Sequence, residues 1–159
     1  MLNKSDMLNI REFEINDAPT VFNWRNEPYI VNLGSLKKGV TWDEHLNWFK
    51  NTLKGTDRRA FILQINNTPA GQVRFDRETQ DSCFISVYLI EEFSGKGYGI
   101  EFIKLGSKKI FSEWKNIKNI YALVKMDNTV GQKAFIKADF IEDKSYQDKG
   151  HLLYVLKRT

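Results

Sequence analysis

The sequence predicts a single α+β domain, spanning residues 1–159, in which a mixed and mostly antiparallel sheet of about seven strands is flanked by about four helices. Three observations predict this class. The chain is 159 residues long, 42% apolar and 28% charged, as expected of one globular domain with a full core. Segments with the two-residue period of strands alternate with segments of helical period. Short polar turns join the middle strands, whereas a helix-length segment precedes the fifth strand.

The first strand is followed by a short helix and a loop. Residues 8–14 alternate between apolar and polar side chains and predict the strand. Asp17 is a candidate N-cap for the helix, which ends before Pro28 because the residue preceding a proline disfavours helical geometry. Residues 29–40, which include two glycines, predict a loop.

A capping box marks the start of the second helix. The Thr41 hydroxyl can accept a hydrogen bond from the Glu44 amide, and the Glu44 carboxylate can reach back to the start of the helix. The helix is predicted to run from there to about Lys54. Its apolar residues recur at helical spacing: Leu46, Phe49 and Leu53.

Three strands joined by short polar turns come next and are therefore predicted to be antiparallel. They cover residues 60–65, 70–76 and 82–90. In the middle strand, alternation places Gln72, Arg74 and Asp76 on one face, while Val73 and Phe75 take the other. The third strand is the most apolar segment of the chain, which predicts a central position in the sheet.

A glycine-rich segment, Ser94–Gly99, separates the central strand from a helix of about 15 residues. That helix must cross over to the strand at Asn119–Lys125, which makes a parallel β-α-β unit. Asn128 then caps a short helix. The last two strands are predicted at residues 140–141 and 152–156.

Composition excludes several classes of protein. No apolar run approaches the roughly 18 residues of a membrane-spanning helix, and no signal-peptide core is present, so we expect neither membrane insertion nor export. Cys83 is the only cysteine, which suits the cytoplasm. One cysteine and two histidines exclude a zinc-finger site, and no carboxylate cluster has ligand spacing, so we expect no metal.

Positive charge is concentrated between Gly95 and Lys125, where seven lysines face two acidic residues, although the net charge of the whole chain is only +4. Such a field favours an anionic ligand, although a merely solvated helix face has the same composition. Nucleic acid is disfavoured because arginine is sparse in this segment and aromatic residues are not interleaved with the lysines. A phosphorylated cofactor fits better.

The glycines of Ser94–Gly99 allow main-chain amides to approach an anion closely, and the next helix adds its N-terminal amides and the positive end of its dipole. The segment is not a Walker loop, because no Gly-Lys-Ser/Thr occurs. It is not a Rossmann fingerprint either, because its third glycine is misplaced and the preceding strands are antiparallel.

The segment resembles the cofactor motif of the GNAT superfamily of acyl-CoA-dependent N-acyltransferases, Gln/Arg-x-x-Gly-x-Gly/Ala. Gly97 and Gly99 match its glycine positions, and Ser94 departs from its first position. Residues 133–140, downstream of Asn128, resemble a second segment of the family. The likeness covers nearly the whole chain and implies direct attack of an amine on the thioester of acetyl-CoA as co-substrate.

The resemblance also assigns residues to the cofactor. The pantetheine arm is expected beside the end of the central strand, where two strands splay apart, and the pyrophosphate on the glycine segment. The residues so assigned are Val87, Tyr88, Leu89, Gly95, Lys96, Gly97, Tyr98, Gly99, Ile100 and Asn128. Phe135 stands where the family often has a tyrosine that protonates the departing thiolate, so we expect Phe135 to pack in the core instead.

Three segments, 22–26, 43–49 and 71–76, resemble more narrowly the UDP-amino-sugar N-acetyltransferases of the pseudaminic-acid pathway. They resemble ribosomal-protein and polyamine acetyltransferases more loosely. The narrower likeness implies transfer to a 4-amino group of a UDP-linked deoxysugar. Its candidate substrate-binding residues are Arg25, His45 and Trp48. The alternatives are that Arg25 forms a surface ion pair, that His45 is a partly buried histidine with its hydrogen bonds made within the fold, and that Trp48 packs in the core.

Asp76 is a candidate general base, and the alternative is an ordinary solvent-facing aspartate. Tyr88 is a candidate catalytic residue, and the alternative is that it only packs against its neighbours.

Two alternative functions remain open. One is acetylation of a protein N-terminus, a polyamine or another small amine; the other is a non-catalytic acyl-CoA sensor, because Ser94 and Phe135 depart from the family pattern. The expected partner is a small-molecule amine, with no nucleic acid and no membrane, and a homodimer is left open.

Overall fold

A computed structural model of the protein describes residues 5–34 and 38–159. Seven strands form one sheet: β1 (Leu8–Glu12), β2 (Arg58–Ile65), β3 (Thr68–Arg77), β4 (Ser82–Leu89), β5 (Asn119–Lys125), β6 (Ile141–Glu142) and β7 (His151–Lys157). Their order across the sheet is β1-β2-β3-β4-β5-β7-β6. All neighbours are antiparallel except β4 and β5, which are parallel. The predicted mixed sheet, with the apolar β4 at its centre, is confirmed.

Within the described ranges the chain forms five α-helices rather than the predicted four: α1 (Ala18–Asn26), α2 (Pro28–Leu33), α3 (Trp42–Lys54), α4 (Tyr98–Glu113) and α5 (Thr129–Lys137). The prediction of a loop over residues 29–40 was wrong in its first part, because residues 29–33 belong to α2. Pro28 occupies the first turn of this helix, where its fixed φ and missing N–H favour a start. Residues 35–37 of the predicted loop lie outside the described residues. No helix in the described ranges is long and apolar enough to cross a membrane.

The predicted capping box at the start of α3 is present. The Thr41 hydroxyl accepts from the Glu44 N–H at 3.2 Å, and the Glu44 carboxylate accepts from the Thr41 N–H at 3.1 Å. The buried face of α3 differs from its apolar pattern, because His45, Phe49 and Thr52 are buried whereas Leu53 is 41% exposed. The helix therefore buries a histidine in the core.

Asp17 occupies the N-cap position of α1, as predicted, but its side chain makes no capping bond. Its carboxylate instead accepts two hydrogen bonds from the Arg11 guanidinium, both at 2.8 Å, and one from the Glu14 N–H. This bidentate ion pair holds the end of β1 against the start of the first helix.

The sheet carries a core on each face. On one face, α4 packs tightly on β3: a Cβ added to Gly106 would lie 3.2 Å from Phe75 and 3.3 Å from Val73. On the other face, α1 and α3 cover β2 through a smaller core that includes Val21, Phe49 and Ile62. The polar face of β3, which carries Gln72, lies on this second side.

The parallel pair at the centre of the sheet is short. Residues Ser82–Phe84 of β4 pair with Asn119–Tyr121 of β5, and the pairing ends there although both strands continue. β4 stays paired with β3 as far as Leu89. The sheet is therefore open between the second half of β4 and the second half of β5, which is the splay predicted for this position.

Candidate active site

Two cavities meet where β4 and β5 separate. The first, which we call the glycine cavity, has a volume of about 580 Å³ and lies between the end of β4, residues 94–100 and α5. The second, the arginine cavity, has a volume of about 490 Å³ and is lined by Arg25, Arg74 and the facing parts of β4 and β5. Five residues line both cavities: Leu33, Val87, Tyr88, Asn128 and Phe135. A molecule bound in one cavity is therefore within reach of a molecule bound in the other.

The glycine segment brings main-chain N–H groups to the rim of the glycine cavity. Gly95 and Gly97 have φ angles of +71° and +91°, in the left-handed region that favours glycine. Gly97 is the N-cap of the 16-residue α4, and this helix start has no side-chain cap. Because the first N–H groups of a helix have no partner within it, they and the helix dipole favour an anion at this rim. Ser94, Gly95, Gly97 and Gly99 of this segment line the cavity, together with Ile100 of α4.

The side chains of this segment are engaged elsewhere or exposed. The Tyr98 ring is buried in the core and its hydroxyl donates to Asp6 Oδ2 at 2.6 Å. The Ser94 hydroxyl donates to the main-chain oxygen of Glu91 at 2.8 Å. Lys96 is exposed and lines neither cavity. Main-chain N–H groups are thus the atoms that this segment can offer to an anion.

The end of β4 and the start of α5 separate the two cavities. Val87–Leu89 line the glycine cavity and lie beyond the last residue of β4 that pairs with β5, Phe84. Asn128 is the N-cap of α5, and its Oδ1 accepts a hydrogen bond from the Gly131 N–H at 2.9 Å. This bond fixes the Asn128 side chain at the junction.

Phe135 also lies at the junction, and its ring is buried. It packs edge-to-face against Phe140, with ring centroids 5.0 Å apart. The expectation of core packing is confirmed. Because a phenyl ring carries no proton to transfer, the side chain that faces both cavities at this position is chemically inert.

Arg25 is held from two sides on the wall of the arginine cavity. Its guanidinium carbon lies 4.3 Å from the centroid of the Trp48 ring, and its NH1 is 3.1 Å from Nδ1 of His45. His45 is fully buried, and its Nε2 lies 2.8 Å from the Ala18 carbonyl oxygen. Since a guanidinium only donates and a carbonyl only accepts, His45 is neutral and carries its proton on Nε2. Burial and the charge of Arg25 lower the pKa of His45, which agrees with a neutral ring.

Three guanidinium groups surround Trp48. Those of Arg58 and Arg74 lie 5.6 and 5.9 Å from its ring centroid, in addition to Arg25. Asp76 binds both of these, at 2.5 Å to Arg58 and 2.8 Å to Arg74. Across residues 5–34 and 38–159, Arg25 has no carboxylate within ion-pair distance, so the cluster keeps an excess of positive charge. Burial and the other two arginines lower the pKa of Arg25.

Tyr88 stands between this cluster and the glycine cavity. Its ring packs edge-on against Trp24, at 6.4 Å between centroids, and its hydroxyl is buried without a hydrogen-bond partner among the described residues. Burial raises the pKa of Tyr88, and the charges of Arg25 and Arg74 offset only part of the rise. The hydroxyl is therefore protonated throughout the neutral range.

The structure separates the residues proposed for the acceptor site. Arg25 and Tyr88 line the arginine cavity, whereas His45, Trp48 and Asp76 do not. Both ring nitrogens of His45 are bonded, the Trp48 face is covered by Arg25, and both carboxylate oxygens of Asp76 are in ion pairs. These three residues therefore support the cavity wall from behind.

Two residues of the arginine cavity, Gln72 and Arg74, were absent from the sequence-based site. Alternation in β3 placed both on the face of Asp76, which is where the structure has them. The available signal was a run of polar side chains on one face of a strand next to the sheet centre, where burial makes such residues unusual.

Among the described residues, no group of three or more His, Cys, Asp or Glu side chains could hold a metal ion.

The acetyltransferase (GNAT) domain family matches residues 7–141. Acetyltransferase PseH of Campylobacter jejuni subsp. jejuni serotype O:2 is 25% identical over 141 residues, which cover 87% of each chain.

Two solved structures show the same fold. One is Campylobacter jejuni N-acetyltransferase PseH in complex with acetyl coenzyme A, with a TM-score of 0.74 and 19% identity over 96% of this chain and 100% of that chain. The other is aminoglycoside acetyltransferase AAC(6')-Ib in complex with coenzyme A, with a TM-score of 0.82 and 17% identity over 96% of this chain and 95% of that chain.

Proposed function

This chain belongs to the GNAT acetyltransferase family, whose acetyl donor is acetyl-CoA, and we propose that its acceptor is the amino group of a nucleotide-linked amino sugar. The observation that carries the proposal is the excess positive charge on the wall of the arginine cavity, where Arg25 has no bonded carboxylate among the described residues. The similarity to PseH agrees with it, as does the likeness of segments 22–26 and 43–49 to amino-sugar acetyltransferases.

On the donor side, we assign the pyrophosphate of acetyl-CoA to the N–H groups of Gly95–Ile100 at the start of α4. The pantetheine arm takes the unpaired edge of Val87–Leu89, where it can pair with the main chain like a further strand. This path ends at the junction of the two cavities, beside Asn128, and brings the thioester within reach of an amine in the arginine cavity.

On the acceptor side, we assign the diphosphate to Arg25 and Arg74. A guanidinium offers paired donors that match phosphate oxygens, and the excess positive charge of the arginine cluster favours an anion. His45 and Trp48 are then positioning residues that hold Arg25 in place, rather than contacts of the nucleotide itself. The same positive charge disfavours a polyamine, because a polycation would meet like charges at the cavity wall.

The reaction joins the two cavities. The neutral amine attacks the thioester carbonyl, a C–N bond forms, and the tetrahedral oxyanion is stabilised by an unpaired N–H at the end of β4. When the C–S bond breaks, the CoA thiolate takes a proton and the amide nitrogen loses one to water. Tyr88, which lines both cavities and whose buried hydroxyl is protonated, is the proposed proton donor in place of a tyrosine at Phe135. Asp76, bound by two arginines, balances charge and is not our proposed base.

The proposal is tested by CoA thiol release with three acceptors at equal concentration: a UDP-linked 4-amino deoxysugar, kanamycin and spermidine. We expect turnover with the first acceptor at a rate well above the other two. Efficient turnover of spermidine or kanamycin with none of the UDP-linked sugar would refute the acceptor assignment. Binding of acetyl-CoA without thiol release from any amine would support the sensor alternative.

A further inference from the structure

Gln72 carries a buried polar atom for which the fold provides no partner. The residue is 3% exposed, and its Oε1 is buried without a hydrogen bond to any described residue. It lines the arginine cavity and lies directly opposite Tyr88 in the β3–β4 register, one residue pair away from the end of β4. Residues opposite each other in an antiparallel pair share a face with their Cβ atoms about 4.5–5.5 Å apart.

Neither polar neighbour of Gln72 on this face is bonded to its amide oxygen, and the Tyr88 hydroxyl opposite it is itself without a partner among the described residues. Arg74, two residues along β3, could donate to it but binds Asp76 at 2.8 Å and Ser86 at 3.4 Å instead. On the same face, Ile62 of β2 lies directly opposite Gln72 and is buried, which shows that this face accepts apolar side chains. Because nearly all buried amide oxygens in folded proteins are satisfied, an unpartnered one on a cavity wall points to a bound molecule that supplies the donor.

We propose that Gln72 is a substrate-binding residue whose Oε1 accepts a hydrogen bond from an N–H of the acceptor's reacting amine. This inference rests on acetyl transfer to an amine but not on the identity of the sugar. The Gln72–Tyr88 pair lies beside the junction where the thioester is expected. An N–H held by Oε1 directs the nitrogen lone pair away from Gln72, towards that junction.

The neutrality of this acceptor suits the chemistry. A carboxylate at this position would favour the ammonium form of the amine, which has no lone pair for attack. The amide oxygen binds a neutral amine without that bias, and the nearby Arg25 and Arg74 further disfavour an ammonium group in the cavity. Gln72 therefore positions the nitrogen without adding a negative charge that would hold the amine in its unreactive ammonium form.

Gln72→Met tests the proposal because methionine has nearly the same length and no hydrogen-bonding amide. We expect the KM for the amine to rise about tenfold, as expected for one lost hydrogen bond to a bound substrate, while the Kd of acetyl-CoA changes by less than about twofold. We also expect the urea unfolding midpoint to stay or rise, since no bond in the fold is lost. Gln64→Met on β2 is the control, because Gln64 Oε1 accepts from Asn9 Nδ2 at 2.9 Å outside both cavities. It should leave the KM unchanged.

The KM is measured with whichever of the three acceptors is turned over, starting with the UDP-linked sugar. Turnover of kanamycin or spermidine alone would refute the proposed acceptor and still test Gln72 with that amine. An unchanged KM in Gln72→Met would overturn the inference. A lower unfolding midpoint, whatever the KM, would show that the amide serves the fold and would overturn it as well. Lack of thiol release with all three amines would overturn both proposals.

Discussion

Gly99 offers the cleanest perturbation of the donor site. A Cβ added at Gly99 would meet no heavy atom within 4 Å, and its φ does not lie in the left-handed region, so a side chain fits the folded protein without strain. The residue is in the first turn of α4 and lines the glycine cavity. A valine there would stand where the pyrophosphate must approach the N–H groups. Losing one charge-assisted hydrogen bond costs about 1.5–3 kcal/mol, which predicts a Kd for acetyl-CoA about 10–150 times higher.

The measurement is isothermal titration calorimetry of acetyl-CoA with Gly99→Ala, Gly99→Val and the unaltered protein, together with urea unfolding. Affinity should fall from glycine to alanine to valine, while stability stays the same or rises, since glycine is the poorer helix former by about 1 kcal/mol. Gly150→Val is the matched control, because a Cβ there also meets nothing within 4 Å and Gly150 lines neither cavity.

Gly97, which the sequence motif emphasises, is a less informative position than Gly99, because its φ of +91° makes any side chain strained. Equal affinity in all three Gly99 proteins would refute the assignment of this rim.

Two further predictions concern Tyr88 and His45. Tyr88→Phe removes a hydroxyl without a partner in the described fold, so the free energy of unfolding should stay or rise, whereas kcat at saturating substrates should fall about tenfold or more; an unchanged kcat would remove Tyr88 from the chemistry. Because burial lowers the pKa of His45 in the folded protein from 6.5, the unfolded chain binds more protons as pH falls below about 6.5. The free energy of unfolding should therefore fall with pH in that window, and more steeply than in His45→Gln; equal slopes would contradict the buried neutral ring.

The fold could be predicted because its signals are local. The capping box at Thr41, the alternation around Val73 and the crossover after β4 each follow from a few adjacent residues. The helix α2 was missed because its six residues carry a weak pattern, and only Pro28 at its start favours it. Leu53 is exposed and His45 buried because tertiary contacts with Ala18 and Arg25 decide the buried face of α3, and those contacts are distant in sequence.

The candidate site was predicted in part for the same reason. The glycine segment is contiguous, so its position at the start of a helix could be derived directly. The arginine cavity is assembled from residues of α1, β3, β4 and β5 that no local pattern connects. Asp76 illustrates the difference: a polar residue on a strand face predicts a candidate base, but only the structure shows that Arg58 and Arg74 hold both of its oxygens.

The central claim is that the arginine cavity binds an anionic amine acceptor while the glycine cavity binds acetyl-CoA. The most direct test is the steady-state kinetics of Arg25→Ala, with the UDP-linked 4-amino deoxysugar and acetyl-CoA varied in turn. Loss of one charge-assisted bond costs about 1.5–3 kcal/mol, which predicts a kcat/KM for the sugar about 10–150 times lower through a higher KM, with the KM for acetyl-CoA near that of the unaltered protein. An equal rise of both KM values, or no change in the KM for the sugar, would contradict the claim.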